Sequence, residues 1–129
     1  MKKSFFKYQL KYWLPVYIYL LVIFYFSSLS AIPEAGLISA KFLIKSQLQH
    51  LIIYAGLALT IYRAVSYTNN SNFIIVSSTT LYGILDEIHQ SFIPGRFFSF
   101  GDILMDFLGA VLALILLYFL KNHMIYTKQ

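Results

Sequence analysis

Four long apolar stretches, Trp13–Leu29, Leu48–Val65, Phe73–Phe92 and Ile103–Leu120, take up more than half of this 129-residue chain. Each approaches the ~20 residues that a helix needs to cross ~30 Å of hydrocarbon. What remains is short connections, with no room for a soluble domain. Hydrophobic residues reach 59% and charged residues only 12%, against about 45–50% and about 25% in soluble domains. A chain this small has too little interior to hide 12 Phe, 11 Tyr and one Trp from water. The composition excludes both a water-soluble globule and a disordered chain. The expected fold class is an all-α membrane protein, with four transmembrane helices bundled into a single domain over residues 1–129.

The connections carry the expected punctuation. Ser27-Ser28-Leu29-Ser30-Ala31-Ile32-Pro33 ends the first stretch, and Pro33 prevents the helix from continuing. Thr68-Asn69-Asn70-Ser71-Asn72 is a polar turn between the second and third stretches. Ile93-Pro94-Gly95-Arg96 breaks the third, because the residue before proline disfavours helix and glycine supplies a tight turn. The third and fourth stretches are thus expected to form a hairpin closed by Pro94 and Gly95. The basic start and small-residue ending of the first stretch resemble a signal peptide. Its apolar run is longer than the usual ~7–15 residues and crowded with bulky aromatics, so it is read as a retained span. Its Tyr and Phe residues are expected to face lipid.

Charge placement sets the orientation. With the N-terminus inside, the bases Lys2, Lys3, Lys7, Lys11, Arg63, Lys121 and Lys128 fall on the cytoplasmic side. Only Lys41, Lys45 and Arg96 fall outside. The bias places both termini in the cytoplasm and the Pro94–Gly95 turn outside a cell membrane. All five acids, Glu34, Asp86, Glu87, Asp102 and Asp106, lie on the outer side. The net charge of +5 is therefore a set of juxtamembrane anchors for anionic headgroups. No basic stripe offers a groove to nucleic acid. The absence of cysteine excludes a disulfide, a thiolate metal site and a thiol nucleophile.

The third stretch ends Tyr82-Gly83-Ile84-Leu85-Asp86-Glu87-Ile88-His89-Gln90. An acid at the centre of a membrane helix costs ~2.5–3.5 kcal/mol on insertion scales, so such groups face the bundle interior or a wet cavity. Helical spacing puts Tyr82, Asp86, His89 and Gln90 on one face, with Glu87 about 100° away. Arg96 follows in the turn. Asp102 and Asp106 then stand four residues apart, and their stripe continues as Gly109 and Ala113. Small residues at that spacing permit close helix approach. The second stretch adds His50 and Tyr54, also four apart, near its outer end. The candidate cluster is His50, Tyr54, Asp86, Glu87, Gln90, Arg96, Asp102 and Asp106, expected to converge on one wet pocket. A plainer alternative pairs Arg96 with an Asp to close the hairpin and leaves the other acids around a hydrated mouth. His123, in the tail, is expected to be solvated.

The run Asp86-Glu87-Ile88-His89-Gln90-Ser91-Phe92-Ile93-Pro94-Gly95-Arg96, followed by Ser99 and Asp102, resembles the signature of the VanZ-like family of short multi-helix membrane proteins. Phe26-Ser27-Ser28 and the His50…Tyr54 pair fit in order, so the likeness covers nearly the whole chain. It implies His50, Tyr54, Asp86, Glu87, Gln90, Pro94, Arg96 and Asp102 as the family's positions. Two departures stand out. Gln47 occupies a position where members often carry Lys, and Ile53 one where many carry Glu. The family's named member is associated with low-level resistance to teicoplanin, which implies a role in the cell envelope.

Three classes of function are compatible with these residues. The first is a non-enzymatic envelope protein that binds an amphiphile, such as a lipid-tailed glycopeptide or a lipid-linked cell-wall precursor, with Arg96 meeting its anionic headgroup. The second is a membrane-embedded hydrolase or transferase for a lipid-linked substrate, with Asp86, Glu87, His89 and Asp102 as catalytic candidates. No cofactor is expected under the first reading. Under the second, Asp86, His89, Asp102 and Asp106 offer oxygen and imidazole ligands for a divalent ion. The third, a transporter or channel, ranks last, since beyond Ser77, Ser78, Thr79 and Thr80 no polar trail reaches the inner half. The expected surroundings are the lipid bilayer, and the envelope reading ranks first.

Overall fold

Apolar stretches punctuated by proline, glycine and serine fold into helices throughout the regular structure of the computed structural model. It describes residues 6–30, 40–65 and 71–126, the side chains of 40–44 and 124–126 excepted. Its four helices among the described residues are α1 (Phe6–Ser27), α2 (Ala40–Val65), α3 (Ser71–Gln90) and α4 (Phe100–Tyr126). Lys2, Lys3, Pro33, Glu34, Lys128 and residues 68–70 of the polar turn lie outside the described residues. So does the side chain of Lys41.

Proline shapes α1. Its first turns widen over Gln9–Trp13, where Leu14 N–H reaches back five residues to Gln9 O. Pro15 follows with no N–H to offer, so the regular ladder is already short of a bond at this point. The other end closes before Pro33 can act. Ser28 N–H lies within reach of both Phe24 O and Tyr25 O, at 3.0 and 3.2 Å. The Ser28 hydroxyl also donates to Phe24 O at 2.7 Å.

Three of the helical segments, Phe6–Ser27, Lys45–Val65 and Phe100–His123, are long and apolar enough to cross a membrane. The 20-residue α3 is not among them, because Asp86, Glu87, His89 and Gln90 crowd its last turns. The surface is that of a lipid-solvated protein. Leu14, Tyr17, Ile18, Leu21, Leu116 and Phe119 are all exposed, and a soluble monomer rarely leaves so continuous an apolar surface open to water.

α2 is the central helix, in contact with all three others and most extensively with α4, while among the described residues α1 touches α2 and α3 but not α4. Gly109 is what lets α2 and α4 meet so closely. A Cβ at Gly109 would stand 2.4 Å from Leu51 O and 3.0 Å from Ala55 N, both backbone atoms of α2. α1 is held differently, by hydroxyls that reach for helix carbonyls. Tyr8 donates to Ala64 O, Tyr19 to Ile53 O at 3.0 Å, and Tyr82 of α3 to Leu20 O at 2.7 Å. The expectation that the aromatics of the first stretch face lipid therefore fails for Tyr19. A hydroxyl in hydrocarbon needs an acceptor, and the neighbouring helix supplies one.

The bundle interior divides into two zones along its length. At one end Leu57, Ala58, Ile61, Ala64, Ile75, Ala110 and Ala113 form an apolar core. At the other, His50, Asp86, Glu87, Gln90, Asp102 and Asp106 are all buried. Tyr54, 1% exposed, lies between them.

The Gly109 contact yields a graded prediction. Gly109→Ala forces two backbones apart and is expected to cost about 1–3 kcal/mol, the range for overpacking a tight site. Gly101→Ala meets only the flexible end of Gln47, whose Nε2 lies 2.9 Å from the added Cβ, and is expected to be close to neutral. Thermal or denaturant unfolding in detergent measures both. Equal stability of the two variants would remove the role given to Gly109.

Candidate functional site

The polar zone begins with the turn between α3 and α4. Ile93 N–H bonds to Gln90 O at 2.9 Å and Arg96 N–H to Ile93 O at 3.1 Å. Pro94 and Gly95 fill the two central positions, and Gly95 takes φ 81°, the left-handed value that a type II turn requires there. Four residues on, Ser99 caps α4: its Oγ accepts from Asp102 N–H at 3.2 Å. The matching donor, Ser99 N–H, goes to Glu87 Oε2 at 2.7 Å. In an ordinary capping box the third helical residue returns that bond. Here an acid from α3 makes it, and the carboxylate of Asp102 is free to face the interior.

α2, α3 and α4 converge on this point. His50 Nδ1–H donates to Asp106 Oδ1 at 2.9 Å. The other ring nitrogen, Nε2, faces Glu87 Oε1 at 3.7 Å. Asp106 and Glu87 are fully buried, and His50 and Asp102 are 8% exposed. Gly83 makes room for Asp106, since a Cβ there would lie 2.2 Å from Asp106 Oδ2. The Tyr54 ring stacks on His50 with centroids 5.8 Å apart and planes 6° from parallel. On the far side of Asp86, Gln90 Nε2 donates to Asp86 Oδ2 at 2.9 Å, and Gln90 Oε1 accepts from Arg96 Nη1 at 3.1 Å. A chain of polar contacts therefore runs along α3 from Asp86 to the turn.

Arg96 does not pair with an acid. It bridges to the end of α1 instead, donating from Nε to Leu29 O at 2.9 Å and from Nη2 to Phe26 O at 3.1 Å. The carbonyl end of a helix carries partial negative charge, so a guanidinium is well placed there. Among the described residues, no carboxylate forms an ion pair with Arg96, which disposes of the Arg–Asp clasp considered from sequence. His89 also leaves the cluster. Its Nε2 bonds to Ser28 Oγ of α1 at 2.9 Å and its ring lies 4.6 Å from that of Phe24. The set Asp86, His89, Asp102 and Asp106 is thus not brought together as metal ligands.

A cavity of about 510 Å³ opens between α1, α2 and α3. Tyr19, Val22, Ile23, Phe26 and Ile53 give it an apolar wall, and His50, Asp86, Gln90 and Arg96 a polar end. The hydroxyl of Ser27, in its lining, is buried without a hydrogen-bond partner. Asp102 is not a wall residue; it stands behind His50, where Ser46 Oγ donates to its Oδ2 at 3.4 Å. Ser46 was missed in the sequence, although it sits four residues before His50 on the same helix face. Of the polar residues Ser77 to Thr80 of α3, Ser77 and Ser78 donate back to Phe73 O and Ile74 O of their own helix at 2.7 and 2.6 Å.

Residues 5–121 match the VanZ/LLP1 family model. The chain belongs to the VanZ/LLP1 family. No curated protein and no solved structure matches it. The two departures from the family pattern fall at different places. Gln47 lies against Gly101 at the start of α4. Ile53 lines the cavity, where it makes the wall apolar at a position that in many VanZ-like proteins is acidic.

The His50–Asp106 contact is testable as a pair. His50→Ala and Asp106→Ala each strand a buried partner, so the double variant is expected to cost less than the sum of the two. The coupling should lie within about 0.5–3 kcal/mol, read from unfolding in detergent. Strict additivity would mean that the contact does not form.

Proposed function

We propose that this protein is a four-span cell-membrane protein whose cavity binds an amphiphile at the outer leaflet, in an envelope role such as protection against the glycopeptide teicoplanin. In this arrangement α3 crosses the membrane with the other three helices, shielded by α2 and α4, and both termini are cytoplasmic. The observation that carries the reading is the two-sided cavity. Its apolar wall suits an acyl chain, and its polar end offers donors to a headgroup. Arg96 has donors left beyond its bonds to Phe26 O, Leu29 O and Gln90 Oε1, and guanidinium matches the fork of a phosphate or carboxylate. The unpartnered hydroxyl of Ser27 is a further hydrogen-bonding group for a bound molecule.

A second reading, a hydrolase or transferase for a lipid-linked substrate, draws support from one geometry. His50 is oriented by Asp106 through Nδ1 and presents Nε2 towards a buried Glu87, the arrangement of a base with its positioning acid. Turnover of lipid phosphates that depends on His50 would move the assignment to this class.

The absence of cysteine makes the topology simple to test. Phe97→Cys, in the exposed stretch after the turn, is expected to react with a membrane-impermeant maleimide in intact cells. Ser4→Cys should react only after permeabilisation. The reverse pattern would invert the orientation.

The envelope role is tested by growth at graded teicoplanin concentrations. Expression of the wild-type chain is expected to raise the tolerated concentration. Arg96→Lys, which keeps the charge and loses the fork, and Ile53→Trp, which fills the cavity, should both abolish the gain at equal membrane abundance. Undiminished protection by both variants would refute the cavity as the site, and no protection from the wild type would refute the role.

A further inference from the structure

Three carboxylates, Glu87, Asp102 and Asp106, are buried around one imidazole, and among the described residues no lysine or arginine forms an ion pair with them. Buried carboxylates without a cationic side chain are balanced by protons, by a protonated imidazole or by a bound cation. Arg96, the nearest basic residue in the turn, is committed to the end of α1. The atoms that remain open define what fits.

The hydrogen bonds leave two buried carboxylate oxygens of the cluster without a partner, Asp106 Oδ2, which lies against Gly83, and Glu87 Oε1. Ser99 N–H occupies Glu87 Oε2, and Ser46 Oγ occupies Asp102 Oδ2. Glu87 Oε1 has no hydrogen-bond partner although the residue is fully buried. It points at His50 Nε2 across 3.7 Å, too far for a hydrogen bond. With a neutral ring whose Nδ1–H donates to Asp106, Nε2 carries the lone pair and faces Glu87 Oε1, so that two ligand atoms point at the same space. One ligand atom each from His50, Glu87 and Asp102 lie within 4.8 Å of one another. Donors at bond lengths of ~2.0–2.2 Å from one ion stand roughly 3–4 Å apart, so modest side-chain rotation closes the set.

We propose that His50, Glu87 and Asp102 bind a divalent first-row transition-metal ion, with Asp106 behind the histidine as its positioning carboxylate. The imidazole favours an ion of the zinc, manganese or cobalt kind over calcium or magnesium, which prefer oxygen alone. The carboxylate–histidine–metal relay is the arrangement that fixes a ligating ring and raises its basicity. Two ligating carboxylates balance a 2+ charge. His50 also lines the cavity, so the ion has an open side towards whatever enters it. The site lies at the junction of α2, α3 and α4 and does not depend on Arg96 or on the amphiphile reading.

The test is cobalt binding by the untagged full-length chain in detergent, freed of metal by chelator and dialysis. Titration with Co²⁺ is expected to give visible d–d absorption saturating at one ion per chain, and added Zn²⁺ should abolish it. Glu87→Gln and Asp102→Asn should each remove the spectrum while far-ultraviolet circular dichroism stays helical. Asp106→Asn should weaken binding about 10–100-fold, the usual effect of losing the carboxylate behind a ligating histidine. Asp86→Asn and His89→Ala should bind as the wild type does. A folded wild-type chain that gives no cobalt spectrum overturns the proposal. So does a spectrum that survives both Glu87→Gln and Asp102→Asn. Resistance assays on Arg96 variants report on the cavity alone, so either reading can fail without the other.

Discussion

Inside a bilayer no water is available to rescue an unpaired polar group, so every such group must find its partner within the protein. In this chain that constraint acts hardest at the contact between His50 of α2 and Asp106 of α4. The two residues are 56 positions apart and meet at 2.9 Å in a site closed to solvent. Around them the bundle is arranged to admit polar bulk where lipid-facing helices admit none. Gly83 leaves space for the Asp106 carboxylate, and Gly109, one turn further along α4, lets the two helices stay in contact below it. Tyr54 covers the imidazole and separates it from the apolar core.

Glu87 shows how the turn and the cluster depend on each other. By capping Ser99 N–H it closes the start of α4, a task that a residue of α4 itself ordinarily performs. The length of the Pro94–Gly95 turn determines that Ser99 arrives opposite Glu87. With that bond made, Asp102 lies on the inner face of the first helical turn, where its charge also suits the positive end of the helix. A turn one residue longer or shorter would displace the cap and the acid together.

Much of this was legible in the sequence because membrane helices advertise themselves. The apolar stretches, the Pro-Gly break and the four-residue spacing of Asp102 and Asp106 follow from length and periodicity. The spacing of Gly109 and Ala113 likewise marked a close-approach face. What periodicity could not supply was which neighbour stands on each side of α3. Relative to Asp86, His89 lies about 60° to one side and Glu87 about 100° to the other. α1 occupies the first side, taking His89 through Ser28 and Tyr82 through Leu20 O. α2 and α4 occupy the second, so Glu87 enters the centre and His89 leaves it. The single-face reading grouped Asp86 with His89 for want of that information. Ser46 escaped notice because its importance comes only from Asp102 on another helix, and Arg96 was offered an acid when its partners are backbone carbonyls.

The position of Arg96 separates two electrostatic compartments that a simple count of charges would merge. Had the guanidinium turned inward, it would have neutralised Asp86 or Asp102 and left the end of α1 without a donor. By bonding Phe26 O and Leu29 O it keeps α1 against the mouth of the cavity, and Gln90 relays it to Asp86 without charge cancellation. The rim is therefore positive and the interior negative, a few side chains apart. On the two proposed readings, an anionic headgroup would be held at the rim and a cation would lie past it, at Glu87 and Asp102. Two such ligands would not compete for one place, and a headgroup at Arg96 would lie on the open side of an ion at His50. This separation would allow a domain so small, and so apolar elsewhere, to hold two different polar sites at one end.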